Sequence, residues 1–139
     1  MPPLIQVYGI DTSVFVRLLT GHPEKDFIRT AKALKKRVDE QPSSQIAVSN
    51  QVIGEAYVTL QHHYGISKPD ARKAILDLFR SGNISPLNGR SVMDLLASTG
   101  GAGLMDRLIV QDYRDRGAHV LTNDRNMAKL DGVVHLSKV

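Results

Sequence analysis

Cysteine is absent from the 139 residues. That excludes a disulfide framework and any thiolate metal site, and it suits a reducing compartment. No apolar run is long enough to span a bilayer, and Met1-Pro2-Pro3 lacks the basic-then-apolar pattern of a signal peptide. There is no internal repeat, low-complexity tract or linker. What is present is a chain of ordinary globular composition, long enough to bury a real core and read as one domain over residues 1–139. Its net charge of +4 and pI near 9.5 lean toward an anionic partner, with nucleic acid the first candidate.

Apolar runs and turn residues divide the chain into alternating strands and helices. Residues 4–10 read as a buried strand stopped at Asp11-Thr12-Ser13, and Val14, Phe15, Leu18 and Leu19 follow at helical spacing up to Gly21. Pro23-Glu24 opens a basic helix through Lys32, Lys35, Lys36 and Arg37, whose charges read as a solvated face. A strand at 45–48 precedes a helix capped by Ser49 or Asn50, with Ile53, Ala56, Tyr57, Leu60 and Tyr64 inward. Gly54 in that helix costs about 1 kcal/mol relative to alanine and marks close packing against another backbone. His62 and His63 point about 100° apart and read as surface residues. A helix from Lys68-Pro69-Asp70 to Gly82, a strand at 84–87 placed at an edge by Pro86, and a helix at 91–98 come next. The Asp106 helix then runs to about Gly117, followed by a strand at 118–121, a short helix at 125–130 and a last strand at 132–136. This alternation predicts an α/β fold with a mostly parallel sheet.

Asp106 is the residue out of place. On a helix it leads Ile109, Val110 and Tyr113 at i+3, i+4 and i+7, an apolar stripe read as facing inward. A carboxylate there needs a cation, a proton or a metal, unless it only decorates a first turn after Gly100-Gly101-Ala102-Gly103. Asp11 and Asp124 each follow an apolar strand, and ligands of open parallel sheets bind beyond the carboxyl ends of strands. If those strands are neighbours, the two carboxylates converge, and Asp106 and Glu55 can lean over the same cleft. Glu55 lies off its helix's apolar stripe, so periodicity alone leaves it exposed. Such a cluster repels itself, and hard divalent cations relieve the repulsion, Mg²⁺ or Mn²⁺ above all where soft ligands are lacking. Helix capping is the simpler role for Asp11 and Asp124, and the two roles are compatible.

Ile10-Asp11-Thr12-Ser13-Val14-Phe15, Val52-Ile53-Gly54-Glu55-Ala56, Asp106-Arg107-Leu108-Ile109-Val110 and Leu121-Thr122-Asn123-Asp124 resemble, in order, the acidic motifs of PIN-domain ribonucleases. In length and simplicity the chain is similar to the VapC-type toxins of toxin–antitoxin pairs. The resemblance implies a three-layer α/β/α sandwich and a Mg²⁺- or Mn²⁺-dependent endoribonuclease, with Asp11, Glu55, Asp106 and Asp124 as catalytic metal ligands. It also implies a homodimer, a small antitoxin partner whose tail occludes the cleft, and a bacterial or archaeal cytoplasm. Two positions depart from the pattern: Arg107 stands where a small residue is usual, and Asn126 where an acid is frequent. Ser13 and Thr122 are candidates to orient carboxylates, although turn chemistry explains them equally. Arg17, Arg107 and Arg125 are candidate RNA-backbone contacts. A response-regulator receiver is disfavoured by the lack of an acidic pair after the first strand, and a haloacid-dehalogenase-like phosphatase by Ser13, where that fold wants a second Asp.

Overall fold

The computed structural model describes residues 5–139, so Leu4 of the expected first strand lies outside the described residues. In chain order the elements are β1 (Val7–Gly9), α1 (Thr12–Thr20), α2 (Glu24–Glu40), β2 (Gln45–Val48), α3 (Asn50–His62) and α4 (Lys68–Arg80). They continue with β3 (Ser85–Pro86), α5 (Ser91–Ala97), α6 (Leu104–Arg114), β4 (Val120–Thr122) and β5 (Val133–His135). All strand pairings are parallel, and the helices flank the strands in a three-layer α/β/α arrangement.

Side chains in the sequence set the starts of three of the six α-helices among the described residues. Asp11, Ser49 and Ser67 each accept the backbone N–H three residues on, from Val14, Val52 and Asp70, and so cap α1, α3 and α4. Gly21 closes α1 in the left-handed conformation, at φ 69°. The expected short helix at 125–130 is only a 3₁₀ turn, Met127–Lys129. Tyr64, expected on the inward stripe of α3, lies beyond the helix end and is exposed, as are His62 and His63.

The strands form two ladders, β1-β2-β3 and β4-β5. β2 is central and buried through Ile46, Ala47 and Val48, while β3 lies at an edge, where Pro86 removes no ladder bond that matters. The expectation that the first strand is buried is corrected. β1 is also an edge of its ladder, and Val7 is half exposed. The strands leading to Asp11 and Asp124 are therefore not hydrogen-bonded neighbours.

The main core gathers Phe15, Ile53, Leu60, Ile75, Val92, Leu104 and Leu108 among its members, with Phe15 stacked on Phe79 at 5.8 Å between ring centroids. A second, small core holds Val110, Val120 and Met127. α6 serves both. Its inward stripe is Leu104, Leu108 and Gln111, with Val110 turned to the small core. The predicted stripe through Ile109 and Tyr113 is overturned, since both are exposed. Helical spacing found an apolar stripe, but two lay side by side, and the one carrying Leu104 and Leu108 faces the core.

Gly54 lies where α3 meets α6. A Cβ built there would fall 2.7 Å from Met105 Sδ, so the close approach is to a side chain and not, as expected, to a backbone. The end of a methionine moves at little cost, and alanine gains about 1 kcal/mol of helix propensity over glycine. Gly54→Ala should therefore change unfolding free energy by less than about 1 kcal/mol in urea titration.

Candidate functional site

α1, α3, α6 and the loop after β4 each bring one of the four acids. Asp11 Oδ1 accepts from the Val14 N–H and from Ser13 Oγ, both at 3.0 Å. The Val14 bond, then the Ser13 bond, hold its carboxyl below the usual range, with Arg17 adding at longer range. Ser13 thus hydrogen-bonds the carboxylate, and Asp11 caps its helix at the same time, through a single oxygen.

Glu55 is held by two residues that the sequence did not single out. Thr12 Oγ1 donates to Oε2 at 2.8 Å, and Gln51 Nε2 to Oε1 at 3.2 Å. Gln51 is four residues before Glu55 on the same helix, a spacing at which such pairs meet. Thr12 is adjacent to Asp11, so its hydroxyl ties the Glu55 carboxylate to the end of β1.

Asp106 has no hydrogen bond or ion pair among the described residues. Burial, followed by the charge of Asp124, pushes its carboxyl up. Asp124 itself accepts from the Asn126 and Met127 N–H groups through Oδ1, at 2.7 and 3.1 Å. Thr122 Oγ1 accepts from the Asp124 N–H at 2.9 Å, so its bond is the turn bond and not one to the carboxylate. His135, at the end of β5, also escaped the sequence reading. Its Nδ1 accepts from Ser137 N–H at 3.1 Å, which assigns the proton to Nε2, and Nε2 lies 3.0 Å from the Asn123 carbonyl. β5 thereby braces the loop that carries Asp124.

The three candidate arginines differ. Arg107 donates from Nε to the Ala102 carbonyl at 2.9 Å and from Nη2 to the Gly100 carbonyl at 3.0 Å, folding the glycine-rich loop back on α6. It neither reaches outward nor neutralises an acid. Arg17 lies 3.8 Å from Asp26 of α2. Arg125 is exposed, with no ion pair among the described residues.

The structure thus joins the acids in two pairs: Glu55 to the Asp11 loop through Thr12, and Asp106 to Asp124 through their mutual repulsion. Among the described residues, no three His, Asp or Glu side chains stand close enough to hold one metal ion. In donor chemistry the four still suit a hard divalent cation. All are carboxylates, none is paired with Lys or Arg among the described residues, and Asp106 carries an uncompensated charge at a half-buried position. A surface hollow of about 830 Å³ beneath α2 touches none of the four. A smaller one, about 300 Å³, includes Asp106 in its wall.

No curated protein matches the chain. The family profile described as "PIN domain" matches residues 8–133, from β1 to the start of β5 and across all four acids. PIN domains are generally metal-dependent nuclease modules acting on RNA or other nucleic acid. With parallel strands, helices on both faces and a match over most of its length, the chain belongs to the PIN-domain family.

Proposed function

We propose that this PIN domain is a Mg²⁺- or Mn²⁺-dependent endoribonuclease hydrolysing RNA phosphodiester bonds, and the toxin of a type II toxin–antitoxin pair. The observation that carries the reading is Asp106: a half-buried carboxylate with no ion-pair partner among the described residues, pushed up by burial and by Asp124. A surface that only bound polyanions would have no use for such clustered negative charge. Asp11, Glu55, Asp106 and Asp124 would hold the ion. When bound, it supplies a water acidified toward neutrality and offsets charge developing on the phosphate.

The chain's own residues do the positioning. Ser13 fixes the Asp11 rotamer, Thr12 and Gln51 fix both oxygens of Glu55, and His135 steadies the loop of Asp124. Asp11 and Asp124 each spend one oxygen on backbone N–H groups, which leaves Oδ2 for a ligand. Arg125, which is exposed, would meet the RNA backbone, and Arg17 would do so with the part of its guanidinium that does not face Asp26. The reading includes one domain over residues 1–139, a homodimer, and a small antitoxin whose tail covers the acids. A second reading, a PIN module that binds RNA or protein without cutting, draws on the absence of any three converging acids among the described residues.

The test is cleavage of a structured RNA pool with Mg²⁺ or Mn²⁺ and with chelator. Metal-dependent cutting that disappears in Asp11→Asn supports the nuclease. Full cutting by that variant would reduce Asp11 to a helix cap. Growth arrest on expression, relieved by co-expressing a small protein encoded next to this gene, tests the toxin. A nuclease without that arrest is an RNA-processing enzyme.

A further inference from the structure

α4 carries four cations, and they divide by face. Lys73 lies 2.9 Å from Asp77, and Arg80 lies 4.0 Å from the same carboxylate, so the two share one acid on the solvent side. Lys68 and Arg72, four residues apart and therefore on one side of the helix, pair with no carboxylate among the described residues. Both line the hollow of about 300 Å³, together with Tyr57, Gly101, Leu104 and Asp106. Arg72 is half buried, and its Nη1 donates to the Ser98 carbonyl at 3.0 Å, which holds the guanidinium at the wall of the hollow. The Arg107 bonds to Gly100 and Ala102 hold the glycine-rich loop that also lines it. The result is a hollow whose lining combines two cations without a carboxylate partner among the described residues, Arg72 tethered and Lys68 exposed, with Asp106.

We propose that this hollow is a subsite for the RNA backbone, in which Lys68 and Arg72 hold a phosphodiester flanking the one that is cut. The proposal rests on the nuclease reading and adds the residues that seat the substrate. The volume lies at the small end of ligand sites, about 300–1,000 Å³. It suits one sugar-phosphate unit and is too small for a paired helix. Asp106 in the same wall selects against a compact free anion, which would sit wholly within reach of that charge. A phosphodiester bears a single charge and continues past the acid to the reacting centre. Arg107, next to Asp106 in sequence, is committed to the loop, whereas the cations of the hollow come from a helix far from Asp106 in the chain.

The test uses the full chain with Glu55→Gln to block cleavage and a fluorescein-labelled single-stranded RNA, followed by anisotropy across a salt series. Lys68→Ala with Arg72→Gln should weaken binding about tenfold or more. It should also flatten the log–log salt slope by about 1.4, about 0.7 for each lost phosphate contact on a single strand. Lys73→Ala removes one positive charge from the adjacent position outside the hollow and should change affinity less than about twofold. Should losing the Arg72–Ser98 bond unfold the loop, Lys68→Ala alone, at an exposed position, should flatten the slope by about 0.7. If the hollow variants match Lys73→Ala while the otherwise unaltered chain still cuts RNA with metal, the subsite is overturned and the nuclease stands. If the unaltered chain neither binds nor cuts RNA, both fall.

Discussion

Asp106→Asn is expected to reduce metal-dependent RNA cleavage by at least about 100-fold in kcat/KM, equivalent to about 2.7 kcal/mol of transition-state stabilisation. The same variant should raise the melting temperature of the metal-free protein at neutral pH. These opposite effects have one cause. The Asp106 carboxyl is pushed up by burial and by Asp124, so the folded state binds its proton more tightly than the unfolded chain does. The stabilisation from that proton is fully present below the unfolded pKa and is lost as pH rises through the folded one. At neutral pH the metal-free chain therefore carries the whole cost of the charge, and the amide removes it. The stability gap between the two proteins should close as pH falls below the ordinary carboxylate range. Added Mg²⁺ or Mn²⁺ should stabilise the parent and have little effect on the variant. Differential scanning calorimetry against pH and metal reads all of this. An Asp106→Asn protein that is no more stable than its parent at neutral pH, and equally active, would leave the acid a bystander on its helix.

The second large effect is expected at Asn50, where Asn50→Asp should cost about 3–5 kcal/mol of stability, a large share of the roughly 5–15 kcal/mol of a typical domain. Asn50 is buried at the start of α3. Its Nδ2 faces the Leu108 carbonyl at 3.3 Å, Gln111 Oε1 at 3.0 Å and Asp112 Oδ1 at 2.9 Å. All three are acceptors, and one is charged. The substitution changes one nitrogen for one oxygen and turns every contact repulsive, while Oδ1 already has no hydrogen-bond partner. Asn50→Leu only leaves acceptors unmet and should cost about 1–3 kcal/mol. The aspartate variant should recover stability as pH falls, because protonation restores a donor, and the leucine variant should not. Urea midpoints for both at two pH values distinguish the two mechanisms. Since Gln111 and Asp112 lie one to two turns after Asp106 on α6, and Glu55 lies just over one turn after Asn50 on α3, this network also sets how the two acids are offset.

The sequence disclosed what is local. Asp11 and Ser49 as caps, Gly21 as a stop and Pro86 as an edge marker are each readable within a few residues, because the physics that selects them acts within a turn. The order of strands and helices followed from apolar runs, periodicity and turn residues. What stayed hidden depends on contacts distant in sequence. Thr12 reaches Glu55 across 43 residues, and Asn50 reaches α6 across about 60. Periodicity placed Glu55 outside the apolar stripe and was right about its exposure; only the resemblance to a family marked it as a site residue. Arg107 was readable as a charge beside an acid, but its partners are backbone carbonyls of a loop whose path no composition reveals. Ile109 and Tyr113 misled because an apolar spacing does not say which of two neighbouring stripes has the deeper core behind it.

The division of the strands into two ladders gives the acids two different foundations. Asp11 and Glu55 stand on elements built into the large core, whereas Asp124 rides on β4 and β5, whose own core is Val110, Val120 and Met127 with a few flanking residues. Local opening is cheapest where the least apolar surface is exposed. The β4–β5 unit can therefore loosen while the rest of the molecule stays folded. α6 touches both cores and carries Asp106, so it acts as the spindle between a fixed jaw and a yielding one. A ligand bridging the two pairs of acids would clamp the jaws together, so part of the energy of binding would be taken up in tightening the protein.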